Sequence, residues 1–444
     1  MNFAGKNIAI LGAGGSGYAA AALALSCGAK ASVFDSGNPE KLAPAVARFD
    51  ALGAPLTCGE AALSAPGSFD FTVISPGIDS AWPIAKAFSE ASGELIGEIE
   101  FAWRAAGEGR APVIGITGTN GKTTTTSLVA EMLQAAGKKV VAAGNIGLPY
   151  CDVVRSGESY DWVVLELSSF QLETVSQFSP RIAVWMNFAP DHMDRYATLK
   201  DYFDAKFRIF ENLSPDALAV HKLECELDLA GRSSRFSAFS AGGDFSYEGG
   251  AIRHQKSGRS FDFVTVELQG KHNAENVMAA LAVADELGID WELVAPAIRA
   301  FRAPAHRCEK VASLGGVLFL NDSKSTNLHS LESALNGQEE PVILIAGGKN
   351  KGLDFAELRE VAGRMVRECI CIGEISGHIA SVWKGAVPCR SAMSVEEAVL
   401  MSRTIARPGE IVLFSPGTSS FDMFTGYEAR GQAFRDAVLA GATA

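Results

Sequence analysis

The stretch Gly115-Ile116-Thr117-Gly118-Thr119-Asn120-Gly121-Lys122-Thr123-Thr124 constrains this chain more than any other. A short apolar run, Pro112 to Ile116, leads into it, and a helical pattern, Thr123 to Ala136, leads out. Strand, glycine loop, Lys-Thr and helix, in that order, form the arrangement that holds nucleotide phosphates. Glycines let backbone N–H groups turn toward the phosphates, and the helix N-terminus adds a partial positive charge. Lys122 is placed to reach the β- and γ-phosphates, and the Thr123 hydroxyl to sit on Mg²⁺. The spacing differs from the usual P-loop, which has glycine where this chain has Ile116. A Gly-Lys-Thr triplet alone is compatible with an ordinary turn; the strand before it and the helix after it favour the phosphate site.

A chain of 444 residues is too long for one core, so two or three domains are expected. The apolar share of 48% and the charged share of 20% are those of a globular enzyme. A net charge of -12 argues against nonspecific nucleic-acid binding, which needs a basic surface. No apolar run approaches the length of a membrane-spanning helix, and Met1 to Lys6 shows no signal region. The eight cysteines are scattered, and Cys369-Ile370-Cys371 fits neither a zinc knuckle nor a redox Cys-x-x-Cys. Most of them read as reduced, buried small hydrophobes of a cytoplasmic protein.

The pattern divides into three α/β blocks. In residues 1–98, Asn7 to Leu11, Ala31 to Asp35 and Phe71 to Ile74 read as strands, and Ser16 to Cys27 as a helix. Residues 99–300 hold the phosphate loop, strands Trp162 to Leu167 and Ile182 to Asn187, a small β-rich excursion over 216–268, and a helix from Ala274 to Leu287. Residues 301–444 carry four apolar runs: Val317 to Leu320, Val342 to Ala346, Cys369 to Ile372 and Ile411 to Phe414. Apolar strands alternating with helices mean parallel sheets, which carry function at the C-terminal ends of their strands.

Gly12-Ala13-Gly14-Gly15-Ser16-Gly17 matches G-x-G-x-x-G, and Asp35 ends the next strand at about the right distance for a ribose hydroxyl. Taken alone this suggests a nicotinamide-dependent oxidoreductase. A ligand-free strand–helix turn and a cradle for another pyrophosphate, such as that of a UDP-sugar, are the alternatives. Nothing downstream suggests a hydride-transfer site, and a second nucleotide site with Lys-Thr is foreign to a simple dehydrogenase.

The remaining motifs resemble the Mur ligases of peptidoglycan synthesis over essentially the whole chain. The resemblance is carried by Ser75-Pro76-Gly77-Ile78, Gly118 to Thr124, Gly144 to Pro149, Glu166 to Glu173, Asp191-His192-Met193-Asp194-Arg195-Tyr196, Lys206, His272-Asn273 with Asn276, His306-Arg307, and Asn321 to Asn327. It implies three domains: a Rossmann-like UDP-substrate domain, a central P-loop ATPase-like domain and a Rossmann-like C-terminal amino-acid domain. It also implies a monomeric cytoplasmic enzyme acting on UDP-N-acetylmuramoyl-L-alanine, D-glutamate and ATP. In such enzymes ATP phosphorylates a carboxylate, and an amino acid's amine attacks the acyl phosphate. Two Mg²⁺ ions neutralise the phosphates.

The same resemblance assigns residues. Lys122, Glu166, His192 and Lys206 are the catalytic set, and Thr123, Glu166, His192 and Lys206 the metal set. Lys206 stands among Phe203, Phe207 and Phe210, where a snorkelling surface lysine is the plain alternative. By resemblance it reacts with CO₂ to give N6-carboxylysine, which requires the neutral amine. ATP falls to Gly118, Thr119, Asn120, Gly121, Lys122, Thr123, Thr124, Asn273, Asn276, Arg307, Asp322 and Lys324. The UDP-substrate falls to Gly15, Ser16, Asp35, Ser36, Gly77, Asn145, Ser168 and His192. The incoming amino acid falls to Thr326, Lys351, Ser420, Phe421 and Tyr427. Chemistry at one acyl phosphate implies closure of the last domain, hinged near Phe301 to Ala305.

The chain departs from the family at Ser36-Gly37, Pro190, Lys349 and the loop Ser415 to Phe421. Competing readings are a Mur ligase adding another amino acid, such as L-glutamate, folylpolyglutamate synthase, and a non-catalytic nucleotide-sugar-binding regulator. The N-terminal glycine-rich domain argues against the second. Retention of Lys122, Glu166 and Lys206 argues against the third.

Overall fold

The computed structural model describes residues 3–64, 67–193, 195–268, 270–302, 305–338 and 340–440. Its strands form three sheets. The first contains β1 (Asn7–Leu11), β2 (Lys30–Asp35), β3 (Leu56–Cys58), β4 (Phe71–Ile74) and β5 (Leu95–Gly97), in the order β3-β2-β1-β4-β5, all parallel. The second contains β6 (Val113–Thr117), β7 (Val140–Gly144), β8 (Trp162–Glu166), β9 (Ile182–Trp185), β10 (Leu218–Lys222), β11 (Arg232–Ser237), β12 (Phe245–Glu248), β13 (Ala251–His254) and β14 (Ser260–Asp262). Its order is β14-β13-β12-β11-β10-β9-β6-β8-β7. The third contains β15 (Glu309–Leu314), β16 (Val317–Asn321), β17 (Val342–Gly347), β18 (Val366–Ile372), β19 (Cys389–Ser391) and β20 (Ile411–Phe414), in the order β15-β16-β20-β17-β18-β19.

The central strands are apolar without alternation. Every residue of β6 and β17 is buried, as expected where helices cover both faces of a parallel sheet. The edge strand β15 keeps exposed positions and pairs antiparallel with β16. The β-rich stretch 216–268 is continuous with the central sheet. Its strands extend the edge of the central sheet, parallel through β12 and antiparallel from β12 to β14.

The chain packs as two compact units. One comprises residues 1–188, 195–262 and 275–299, and the other 189–194, 263–274 and 300–444. The first unit joins two sheets through the helix Gly15–Ser26. Its alanines leave it apolar nearly all round, and it packs on the helices Glu98–Ala106 and Tyr150–Arg155. One continuous core therefore runs from Ile8 and Ile10 to Leu165 and Trp185. The expected hinge at Phe301 to Ala305 includes Ala303 and Pro304, which lie outside the described residues, as does Asp194.

A buried carboxylate fixes the connecting helix Glu98–Ala106. Glu100 is fully buried and accepts from the backbone N–H groups of Ser176, Gln177 and Phe178 at 2.9–3.1 Å. Arg104 Nε donates to Glu100 at 2.6 Å, and the rest of its guanidinium forms a bidentate pair with Glu94. Removing one partner of a buried ion pair strands the other charge. Glu100→Ala should therefore cost about 3 kcal/mol or more in urea unfolding; a loss below about 1 kcal/mol, the size of a surface pair, would contradict the role given to this carboxylate.

Candidate functional site

Three neighbouring strand ends converge in the first unit. β6 lies between β8 and β9, with Ile116 opposite Glu166 and Thr117 opposite Trp185. The glycine loop leaves β6 at Gly118, where φ is +143° and a Cβ would lie 2.9 Å from that of Met186. It enters the helix Lys122–Ala135 through Gly121, whose φ is +81°. Asn187, just past β9, clamps the loop: its Oδ1 accepts from Asn120 N at 2.8 Å and its Nδ2 donates to Asn120 O at 3.1 Å. Asn276 packs on the same turn, accepting from Thr125 Oγ1 at 3.1 Å. A Cβ at Gly121 would meet Asn276 Oδ1 at 2.6 Å. Thr119, Thr123 and Thr124 are buried at the loop.

Two lysines meet one carbonyl. Lys122 Nζ donates to Gly118 O at 2.9 Å and to Thr119 O at 2.7 Å. Lys206 Nζ donates to Gly118 O at 2.9 Å and sits 4.8 Å from the Tyr202 ring. Lys206 is 1% exposed, so it is no surface lysine. It belongs to the buried face of the helix Leu199–Phe207, with Tyr202 and Ala205.

Glu166 ends β8 and is 1% exposed. Its Oε1 accepts from Asn145 Nδ2 at 2.7 Å, while Oε2 is buried with no hydrogen-bond partner among the described residues. A buried carboxylate oxygen left uncommitted is costly. Beside a phosphate loop it suits a hard cation such as Mg²⁺, for which oxygen donors are the right chemistry.

The glycine-rich N-terminal loop and the Ser75–Ile78 loop follow β1 and β4, the adjacent strands at which the strand order reverses, where ligands bind in such sheets. A Cβ at Gly17 would lie 1.9 Å from Gly12 O, which demands glycine there. Gly15 and Ser16 open the helix, and Ser36 and Gly77 are exposed. Asp35 is already engaged: Oδ2 accepts from Ala13 N and Oδ1 from Gly37 N, both at 2.8 Å. Ser168 caps the short helix Ser169–Leu172, its plain structural role. Arg195 ties the Ser75–Ile78 loop to the central domain, donating to Pro76 O at 3.0 Å and Glu173 at 2.7 Å.

His192 belongs to the second unit. It adopts φ +56°, uncommon for a non-glycine residue, and its N–H donates to Asp191 Oδ1 at 2.8 Å. Asp191 Oδ2 accepts from Asn327 Nδ2 at 2.8 Å, and Lys351 Nζ lies 3.9 Å from Oδ1. Asp191, His192 and Lys351 border a cavity of about 420 Å³ whose lining also includes His329, Glu332, Asp354 and Glu357. Thr326, Ser420, Phe421 and Tyr427 are not part of that lining. Ser420 is buried and Phe421 exposed, while the Tyr427 ring lies 5.1 Å from Lys324 Nζ. Asn273 is buried in the first turn of the helix Lys271–Glu286. Arg307 stands half-buried between His306 and Cys308, both with positive φ.

Sequence reasoning gave no role to Asp191, Asn187, Tyr202 or Arg430. Arg430 is 1% exposed and bonds Ser323 O and Thr418 O, joining two strand-end loops. Asn327 had a readable signal, a cap residue before the helix Leu328–Asn336, but its bond to a distant aspartate had none.

Asp322 is expected from sequence to face the nucleotide. It is buried, with Oδ2 accepting from Ser415 Oγ at 2.8 Å and Oδ1 from Cys308 N at 3.2 Å. Burial raises its pKa from 3.8 to about 7. A carboxyl with a raised folded-state pKa holds its proton where the unfolded chain has lost it. Its stabilisation is complete below the unfolded value and disappears as pH rises through about 7. Asp322→Asn, which mimics the neutral acid, should therefore gain stability relative to wild type between pH 4 and pH 7.5. Paired thermal melts across that range check this; a difference independent of pH would contradict it.

Residues 116–284 match the Mur ligase middle domain, and residues 306–417 match the Mur ligase glutamate ligase domain. The UDP-N-acetylmuramoylalanine–D-glutamate ligase of Geobacter metallireducens is 39% identical, with 99% of this chain and 98% of that protein covered. The ligase of the same name from Chromobacterium violaceum is 37% identical, with 99% of each covered. Among solved structures, a UDP-N-acetylmuramate–alanine ligase from Thermotoga maritima shares the fold, with a TM-score of 0.64 and 20% identity over 98% of this chain and 100% of that one.

Proposed function

The chain belongs to the Mur ligase family, and we propose that it joins D-glutamate to UDP-N-acetylmuramoyl-L-alanine while converting ATP to ADP and phosphate. Likeness over nearly the whole chain to ligases of that name supports the substrate pair. The observation that carries the chemistry is Glu166 Oε2, buried and uncommitted beside a glycine loop that two lysines share.

The substrate carboxylate oxygen attacks the γ-phosphorus and ADP leaves. The amine nitrogen of the amino acid then attacks the acyl carbon, and the tetrahedral adduct expels phosphate to leave the amide. Lys122 and the loop N–H groups hold the phosphates and stabilise charge developing on the transferred group. Asn145 holds Glu166 in place through Oε1. Mg²⁺, when bound, neutralises phosphate charge; Glu166, Thr123 and a carbamate on Lys206 are the residues that would hold it. The first sheet binds the UDP-substrate at its switch point, the central sheet ATP, and the third the amino acid. The enzyme acts as a cytoplasmic monomer; among the described residues no helix is long and apolar enough to cross a membrane.

The amino acid occupies the cavity beside Lys351, whose ammonium pairs with a carboxylate. A diamino acid is the competing reading, favoured by Glu332, Asp354 and Glu357 in the same lining. Phosphate release with UDP-N-acetylmuramoyl-L-alanine and ATP, tested with D-glutamate, L-glutamate, L-alanine and meso-diaminopimelate, should be fastest with D-glutamate. Preference for the diamino acid would overturn the assignment, and preference for L-glutamate would reject only the handedness.

Carbamate formation on Lys206 joins its neutral amine nitrogen to the carbon of CO₂ and releases one proton. Lys206→Ala should lose activity by about 100-fold or more, the scale of losing a preorganised charge. Formate or acetate should restore part of it by supplying the missing anion. A correctly folded Lys206→Ala enzyme with near-normal turnover would refute the modification.

A further inference from the structure

The third sheet carries a cluster of thiols that the ligase reaction does not use. Cys369 and Cys371 lie two positions apart on β18, so their side chains leave the same face. Cys389, on the edge strand β19, is the parallel register partner of Cys369. All three Sγ atoms lie within 4.8 Å of one another, and those of Cys369 and Cys371 are 3.7 Å apart. Cys369 and Cys371 are fully buried beside Leu344, Ile379 and Trp383, and Cys389 is half-buried at the margin of that core.

Buried thiols as packing hydrophobes need not converge. A triangle of this size suits a cation: metal–sulfur bonds of about 2.3 Å set sulfurs about 4 Å apart in trigonal geometry and slightly closer in tetrahedral. Soft thiolate ligands select Zn²⁺ and Cu⁺ over hard cations. A thiol binds such a cation as thiolate, so its proton leaves on binding.

We propose that Cys369, Cys371 and Cys389 form a three-thiolate site for a thiophilic d¹⁰ cation, Zn²⁺ or Cu⁺, which ties the edge strand β19 to β18. The three thiols bind the cation as thiolates, their protons pass to solvent, and no electron is transferred.

The test uses the full-length reduced protein. It is equilibrated with one equivalent of Zn²⁺, or anaerobically with Cu⁺, against a chelator of micromolar affinity, and bound metal is measured after gel filtration. At least one of the two cations should be retained at one per chain, and the two arms tell which. Cys389→Ser, at the half-buried edge, should weaken retention about 10-fold or more, whereas Cys58→Ser should not. Thiolate-to-Cd²⁺ absorption should fall in Cys389→Ser, which reads the ligand directly. Failure to retain either cation, or retention and Cd²⁺ absorption unchanged in Cys389→Ser, would overturn the site.

Discussion

Gly118 is the point at which the central strand becomes a binding loop, and the rest of the site depends on it. Its φ of +143° and the 2.9 Å approach to Met186 exclude a side chain. The carbonyl turned out there receives Lys122 from the following helix and Lys206 from a helix 88 residues on. One backbone group thus brings together two ammonium groups whose mutual repulsion would otherwise drive them apart. Asn187 holds the loop and Asn276 the first turn of the helix behind it, so side chains of two distant chain segments fix the turn.

Around that turn the structure keeps polar groups in places where burial is unfavourable. Glu166 and Lys206 are each 1% exposed. An unmade buried hydrogen bond costs about 1–3 kcal/mol, against about 1 kcal/mol gained by a typical made one. Asn145 therefore does not fully offset the burial of Glu166, and its second oxygen remains available for a ligand. Glu100 shows the contrast. It is as deeply buried, yet three backbone N–H groups and Arg104 satisfy it, and its role is purely architectural.

Much of the fold was legible because parallel sheets write themselves as apolar runs. β1, β4 and β20 begin and end where the sequence pattern places them, and the phosphate-loop helix is displaced by a single residue. The stretch 216–268 was harder. Strands such as β11 and β13 are half-exposed, and their pattern identifies strands but not the sheet they join. The bonds of Asp35 to Ala13 and Gly37, and of Asp322 to Ser415, were also invisible. A carboxylate bound to a loop's own groups has the same residue letter as one awaiting a ligand.

Local order alone marked Gly118 to Thr124 as a strand–loop–helix turn of the kind that cradles phosphate, Gly12 to Gly17 as a glycine-rich turn between strand and helix, and the Mur ligase motifs as occurring together. These follow from short spacings in which chain connectivity does the positioning. Only tertiary structure decided that Lys206 is buried against Gly118, that Asp191 is held by Asn327, and that Cys389 meets Cys369 and Cys371. Each of these depends on sheet register or helix packing between segments far apart in the chain. Such contacts are selected by the burial of whole apolar faces, so no local spacing encodes them.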